Sequence, residues 1–240
     1  MNCLLLEKDA PLQISADNPK LEHIRKVLKL ADGGEIFVGN AGGELRVCAI
    51  KYTPEGAKFT PLRPAANPPP LNAVLCAAFS RPQIAQRVLF EAACFGAKAV
   101  VFYPAEKGEA DYAKSALYAG GEHLKWLEKG AEQACATHIP DFFAAKSLSD
   151  AAEIAEKIFP DNPLKIAPDV YEASASMSDA AANARNTILA FGGERGFSAA
   201  DRNALRARGF TLASLGARVL RTDSAIISAL AILSQHKQAL

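Results

Sequence analysis

Between residues 1 and 62 the apolar positions come in short runs: CLLL (3–6), EIFVG (35–39), ELRVCAIKY (44–52) and KFTPL (58–62). Polar or glycine-rich segments such as Asn40-Ala41-Gly42-Gly43 separate them. Runs of this length bounded by turn residues predict strands. One stretch has the helical period instead. In PKLEHIRKVLKL (19–30) proline opens the segment, and Leu21, Ile24, Val27 and Leu28 fall on one stripe. Several short strands with one helix predict a small β-barrel domain. Five prolines between Pro61 and Pro70 then exclude a helix or a central strand, and mark a boundary.

Beyond residue 70 the pattern changes. Strand-length apolar runs alternate with longer amphipathic stretches: LNAVLCAAF (71–79), PQIAQRVLFEAACFG (82–96), KAVVFY (98–103), then a helical region around Trp126. SLSDAAEIAEKIF (147–159), LKIAP (164–168), NTILAFGG (186–193), SAADRNALRARG (198–209), TLASLG (211–216) and DSAIISALAILSQH (223–236) follow. Such alternation predicts βαβ units, and so a parallel sheet covered by helices.

Composition narrows the function classes. Half of the 240 residues are hydrophobic, so the chain can fill a sizeable core, and the net charge of +1 supplies no global basic field. An anion-binding surface has to be local. The five cysteines (Cys3, Cys48, Cys76, Cys94, Cys135) are scattered and never form a CxxC pair. They predict reduced thiols, a cytoplasmic setting and no zinc site. The start MNCLLLEKDAP does not read as a signal peptide, and no apolar stretch approaches the ~20 residues that span a bilayer.

Two loops carry candidate chemistry. Phe191-Gly192-Gly193-Glu194-Arg195-Gly196-Phe197-Ser198 ends an apolar strand and feeds a helix that Ser198 is placed to cap. Glycines there let backbone approach a ligand at the edge where open α/β sheets bind. A tight turn with a solvated ion pair explains the same residues, and neither GxGxxG nor a P-loop is present. SLGARVLRTDSA (214–225) also ends a strand and feeds a helix, so the two loops are placed to line one crevice. From Arg185 to Arg221 there are seven arginines, no lysine and two acids. Solvated helix faces account for Arg202, Arg206 and Arg208. Arg218 and Arg221 flank Val219-Leu220 where a strand turns into a buried helix, and a guanidinium there suits phosphate or a base. The first-domain helix carries Lys20, Arg25, Lys26 and Lys29 against Glu22, which fits a phosphate backbone or an ordinary solvated face equally. His23, His123, His138 and His236 have no partner at metal spacing, and Cys94 reads as core.

FGGERGFS and LGARVLRTDSA together resemble the ribosomal RNA small subunit methyltransferase E family of the SPOUT superfamily. The family pattern reads roughly I-G-P-E-G-G-[FL]-S, then L-G-x-R-[IV]-L-R-x-E-T-A. Gly192, Glu194, Gly196, Phe197 and Ser198 match the first part; Leu215, Gly216, Arg218, Val219, Leu220, Arg221, Thr222 and Ala225 match the second. HIRKVLKL and Ala131-Glu132-Gln133 with Ile139-Pro140 extend the resemblance over nearly the whole chain.

The resemblance implies a PUA-like RNA-binding β-barrel domain over 1–65 and a SPOUT methyltransferase domain over 70–240. The latter would be an α/β-knot, with a mostly parallel sheet and a C-terminal trefoil knot. It implies S-adenosylmethionine as cofactor, held by Ala167, Phe191, Gly192, Gly193, Glu194, Gly196, Leu215, Gly216, Val219, Leu220 and Ala225. It implies methylation at N3 of a uridine in 16S rRNA, free or within the 30S subunit, by a homodimer without metal or membrane. Loss of the N3 proton leaves an anion that Arg221 or Arg218 would stabilise, while Glu194 would take the proton or order its loop. Arg25, Lys26, Lys29 and Arg195 would hold RNA.

Departures from the pattern occur in both cofactor loops, but those loops survive better than the RNA-facing positions. Gly193 and Ala217 replace prolines, and Arg195 replaces a glycine, with strain if that position needs a positive φ. Phe90-Glu91 replaces Gln-Lys, Cys94 replaces an acid, Ala136 replaces an arginine, and Ala105-Glu106-Lys107-Gly108 replaces Ser-Glu-Arg-Ser. The alternative reading is therefore a divergent paralogue acting on another RNA, or a non-catalytic RNA- or cofactor-binding protein.

Overall fold

A computed structural model describes residues 2–182 and 185–238, so the expected outer limits at 1 and 240 lie outside the described residues. Chain contacts divide it into two compact units. One runs to Pro69 and takes in Glu128–Ile139; the other comprises Pro70–Leu127 and the chain from Pro140 onward.

The first unit contains β1 (Cys3–Leu6), β2 (Gln13–Ser15), α1 (Pro19–Lys26), β3 (Glu35–Asn40), β4 (Leu45–Thr53) and β5 (Gly56–Pro64). They form one sheet in the order β1-β3-β4-β5-β2, parallel at β1–β3 and antiparallel elsewhere. Leu4, Leu6, Ile36, Val38, Ile50 and Phe59 point inward onto Leu21 and Ile24 of α1. The β2 strand is missing from the sequence reading because QIS has too few apolar residues to show a period. Gly56 makes its pairing possible: at φ +146, a Cβ would stand 2.0 Å from the Ile14 carbonyl oxygen.

The α1 helix is shorter than the apolar stripe suggests. Asn18 caps its start by accepting from the Lys20 amide at 2.9 Å. At its end the His23 carbonyl accepts from both Val27 and Leu28 amides, and Lys29 adopts φ +52. That left-handed residue reverses the chain. It turns Leu30 back toward the core, leaving Val27 62% and Leu28 37% exposed. The buried stripe is Leu21 and Ile24, continued by Leu30.

Glu128–Ile139, assigned by the sequence reading to the second domain, joins the first unit through Glu132. Its buried carboxylate accepts the Leu5 amide at 3.0 Å and pairs with Lys20 Nζ at 2.9 Å. Thr137 is bonded to Asn67 and to the Gly43 carbonyl.

The second unit begins with β6 (Leu71–Ala78), α2 (Pro82–Cys94), β7 (Ala97–Tyr103), α3 (Ala116–Ala119), α4 (His123–Ala134, running on into the segment just described) and β8 (Asp141–Ala144). It continues with α5 (Leu148–Ile158), β9 (Leu164–Pro168), β10 (Ala175–Ser176), α6 (Met177–Ala181) and β11 (Thr187–Phe191). It ends with α7 (Ala199–Ala207), β12 (Thr211–Ser214) and α8 (Thr222–Gln238). The seven strands are ordered β10-β12-β9-β11-β6-β7-β8, every pair parallel, which is the α/β architecture the alternation predicts. Burial on both faces explains the unbroken apolar runs of β6 and β7. Alanines 151, 152 and 155 let α5 lie close on the sheet.

The strand order places the site. Strand β9 lies between β11 and β12, so three C-terminal strand ends emerge side by side. Open parallel sheets bind ligands at such an edge. All five cysteines are free thiols. Among the described residues no cluster of metal-ligating side chains occurs, and no helix is long and apolar enough to cross a membrane.

Candidate functional site

After β11 the chain makes a tight turn with Glu194 and Arg195 at its tip. The Gly196 amide donates to the Gly193 carbonyl at 2.9 Å, and the two residues form an isolated antiparallel bridge. Gly196 carries φ +67. Arg195 is not in the left-handed region, so the strain expected of an arginine there does not arise. Gly192 is crowded: a Cβ would lie 2.7 Å from the Gly196 carbonyl carbon and 2.8 Å from the Phe197 amide nitrogen. Ser198 and Asp201 form a reciprocal capping box that starts α7. The buried Tyr103 hydroxyl donates to the Phe191 carbonyl at 2.9 Å and fixes the strand end. Burial pushes that hydroxyl well above the usual phenol range.

The second loop leaves β12 through Ser214, whose Oγ accepts from the Gly216 amide at 3.0 Å. Gly216 lies at φ +114. The chain then exposes Val219 (71%) and Leu220 (39%) before α8 begins.

A third wall follows β9; the sequence reading placed Ala167 of this strand at the site but missed the residues after it. Asp169 Oδ1 accepts the amides of Tyr171 and Glu172 at 2.8 and 2.7 Å, and its Oδ2 accepts Arg202 Nε at 2.8 Å. The signal was a proline ending LKIAP with an aspartate after it, one more parallel strand finishing at the ligand edge.

These three segments line one pocket. Twelve of the expected site residues meet there: Phe191, Gly192, Gly193, Glu194, Arg195, Gly196, Leu215, Gly216, Arg218, Val219, Leu220 and Ala225. Pro168, Asp169, Val170, Tyr171, Phe197 and Thr222 join them. Ala167 is fully buried in β9, paired with Leu212, and is not part of the lining. Arg221 also lies outside the lining, its side chain 70% exposed and its Nε 3.6 Å from Asp223 Oδ1. Glu194 faces Arg81 Nε at 3.3 Å, and the same Nε donates to the Tyr112 hydroxyl at 3.1 Å. The expected RNA-holding residues of the first unit are at its surface. The Arg25 guanidinium lies 4.5 Å from the Tyr52 ring centroid, Lys26 pairs with Glu22, and Lys29 is exposed.

The solvated-face reading fails for Arg202 and in part for Arg208, whereas Arg206 is exposed as expected. Arg202 is buried and paired with Asp169, Arg206 pairs with Glu172, and Arg208 pairs with Glu153 and Glu156. Acids from β9 onward and from α5 neutralise them, which local charge counting could not reveal. Arg195 and Arg218 remain as lining cations, beside glycine backbone and the apolar Phe191, Tyr171, Val219 and Leu220. Such a cleft offers backbone hydrogen bonds and apolar contact to a flat polar molecule, with cations for an anionic partner.

Comparison with known proteins finds relatives over the whole chain. A family model described as RNA methyltransferase domain matches residues 67–234. Ribosomal RNA small subunit methyltransferase E of Treponema pallidum is 27% identical, with all of this chain and 92% of that protein covered. Ribosomal RNA small subunit methyltransferase E 1 of Borreliella burgdorferi is 24% identical over 95% of each chain. The crystal structure of a ribosomal RNA small subunit methyltransferase E from Neisseria gonorrhoeae, bound to S-adenosyl methionine, superposes with a TM-score of 0.74 at 17% identity. That alignment covers 98% of this chain and 97% of the other.

Proposed function

This chain belongs to the RNA methyltransferase domain family, and from that membership we propose that it methylates N3 of a uridine in small-subunit ribosomal RNA with S-adenosylmethionine. The observation that carries the reading is the meeting of both glycine loops and the β9 end at one pocket. Gly192, where a Cβ would strike the Gly196 and Phe197 backbone, keeps the turn closed on itself, and at Gly216 a Cβ would meet nothing within 4 Å, so the lining is bare backbone that fits a nucleoside-sized cofactor. Backbone of Phe191–Gly196 and Leu215–Leu220 would hold it, with Tyr171 and Val219 excluding water. Bound there, the cofactor supplies an electrophilic methyl group.

The chain's own work is on the acceptor. Uracil N3 reacts after losing its proton, and a guanidinium at O2 or O4 stabilises the resulting anion. Arg218 or Arg221 fills that role. Glu194, held by Arg81, orders the turn that the cofactor rests on or takes the N3 proton. Arg195 at the turn tip, and Arg25, Lys26 and Lys29 on the first unit, contact RNA phosphate. The substrate is 16S rRNA, free or in the 30S subunit, and the working form is a homodimer. The functional domains are taken as 1–65 for RNA holding and 70–240 for transfer.

A second reading, transfer to another RNA, rests on Glu91, which places an acid on α2. The deciding experiment is transfer from labelled S-adenosylmethionine to 30S subunits lacking the uridine mark. Label mapped to that uridine and lost in Arg221→Ala is the expected outcome. Cofactor binding without label on the subunit favours the second reading.

A further inference from the structure

Arg221 stands outside the pocket, yet the proposed chemistry asks for its guanidinium at the base. The residue that directs it is two positions on. Asp223, near the start of α8, has a side chain only 2% exposed. Its Oδ2 lies 3.1 Å from Nη1 of Arg87 on α2. Its Oδ1 is buried with no hydrogen-bond partner among the described residues. Arg221 Nε stands 3.6 Å from that oxygen, just beyond bonding length. A buried carboxylate oxygen without a donor is an unfavourable state that one hydrogen bond relieves. A small rotation of the Arg221 side chain supplies it. Thr222, one residue before Asp223, and Ala225, two residues after it, line the pocket, so filling the pocket and ordering Arg221 involve the same turn of chain.

We propose that Asp223 is a positioning residue, whose Oδ1 captures the Nε–H of Arg221 when the pocket fills. Arg87 fixes the other oxygen, so the carboxylate cannot turn away. The captured guanidinium keeps its terminal N–H groups for the uracil oxygens. This inference rests on the methyltransferase reading of the pocket.

The test uses the full chain with 15N-labelled arginine and S-adenosylhomocysteine as probe. In the wild type, saturation with the probe slows exchange of one Nε–H by on the order of tenfold. That resonance is absent from Arg221→Lys. In Asp223→Asn, Arg87 takes the one remaining acceptor oxygen and the amide NH2 faces Arg221 Nε, so the variant loses the slowing while binding the probe within about threefold of wild type. In turnover, Asp223→Asn lowers kcat about tenfold with little change in KM for the cofactor, and has no further effect in an Arg221→Ala background. Slow exchange retained in Asp223→Asn overturns the proposal, as does an equal kcat loss in both backgrounds. Probe binding with no change at any Nε–H overturns the proposal alone. No saturable probe binding overturns the pocket reading and this inference with it.

Discussion

Gly192 and Gly193 are adjacent, and their constraints are opposite. At Gly192 a Cβ meets backbone at 2.7 Å, whereas at Gly193 it meets only the methyls of Ala78 and Ala105 at 3.7 and 3.8 Å. A forced backbone shift of the first kind costs ~1–3 kcal/mol. If that falls on the bound state, Gly192→Ala weakens S-adenosylhomocysteine binding by roughly tenfold to a hundredfold. Gly193→Ala stays within about threefold. Titration calorimetry on both variants checks this, and equal losses would mean the crowding is not what shapes the cradle. The two glycine loops were legible in the sequence because each is a local pattern between a strand and a helix. Asp169 was not, because an aspartate bonding amides two and three residues ahead looks like any loop acid. Arg202 was misread for the related reason that its partner lies 33 residues away.

Elements were legible wherever the apolar period was long, as in β6, β7, α2 and α5. They failed where one residue reversed the chain, as Lys29 does at the end of α1. They failed again where placement depended on a remote partner, as with the end of α4. Glu132 meets the Leu5 amide across 127 residues of chain, and no periodicity encodes that. Its removal leaves a buried amide without an acceptor and Lys20 without its carboxylate, bonded only to the Leu5 carbonyl. Glu132→Ala is expected to lose ~2–3 kcal/mol in urea unfolding, moderated because Lys20 is partly exposed. Glu132→Gln, which keeps an acceptor oxygen, should fall between. The other end of α4 carries a pH dependence. The His123 ring stacks on Phe142 with centroids 3.7 Å apart, and burial holds its pKa below the usual 6.5. The folded state thus favours neutral imidazole. Its contribution is complete above the unfolded pKa and is lost as pH falls through the lower folded value. Wild type should therefore lose more melting temperature between pH 7.5 and 5.5 than His123→Phe, measured by circular dichroism.

At the scale of the molecule, a proline-rich break was visible in composition, although β5 runs through Pro61 to Pro64 and the units divide after Pro69, while the return of residues 128–139 to the first unit was not visible. The charge balance has a similar division between what counting reveals and what folding decides. The net charge of +1 gives no global attraction for RNA, and Arg202, Arg206 and Arg208 are neutralised by folding. The proposed phosphate contacts are local: Arg195 on the pocket turn, and Arg25, Lys26 and Lys29 on the first unit. Each phosphate contact in single-stranded RNA releases counterions worth ~0.7 in the slope of log affinity against log salt. Lys26 is already paired with Glu22, so its release is partly offset. Replacing Arg25, Lys26 and Lys29 together with alanine should flatten that slope by about 1–2 and leave S-adenosylhomocysteine affinity unchanged. Filter binding to a 16S rRNA fragment at several salt concentrations measures the first quantity, and calorimetry the second. An unaltered slope would remove the first unit from the RNA path. The lining cations Arg195 and Arg218 would then have to account for whatever salt dependence remains.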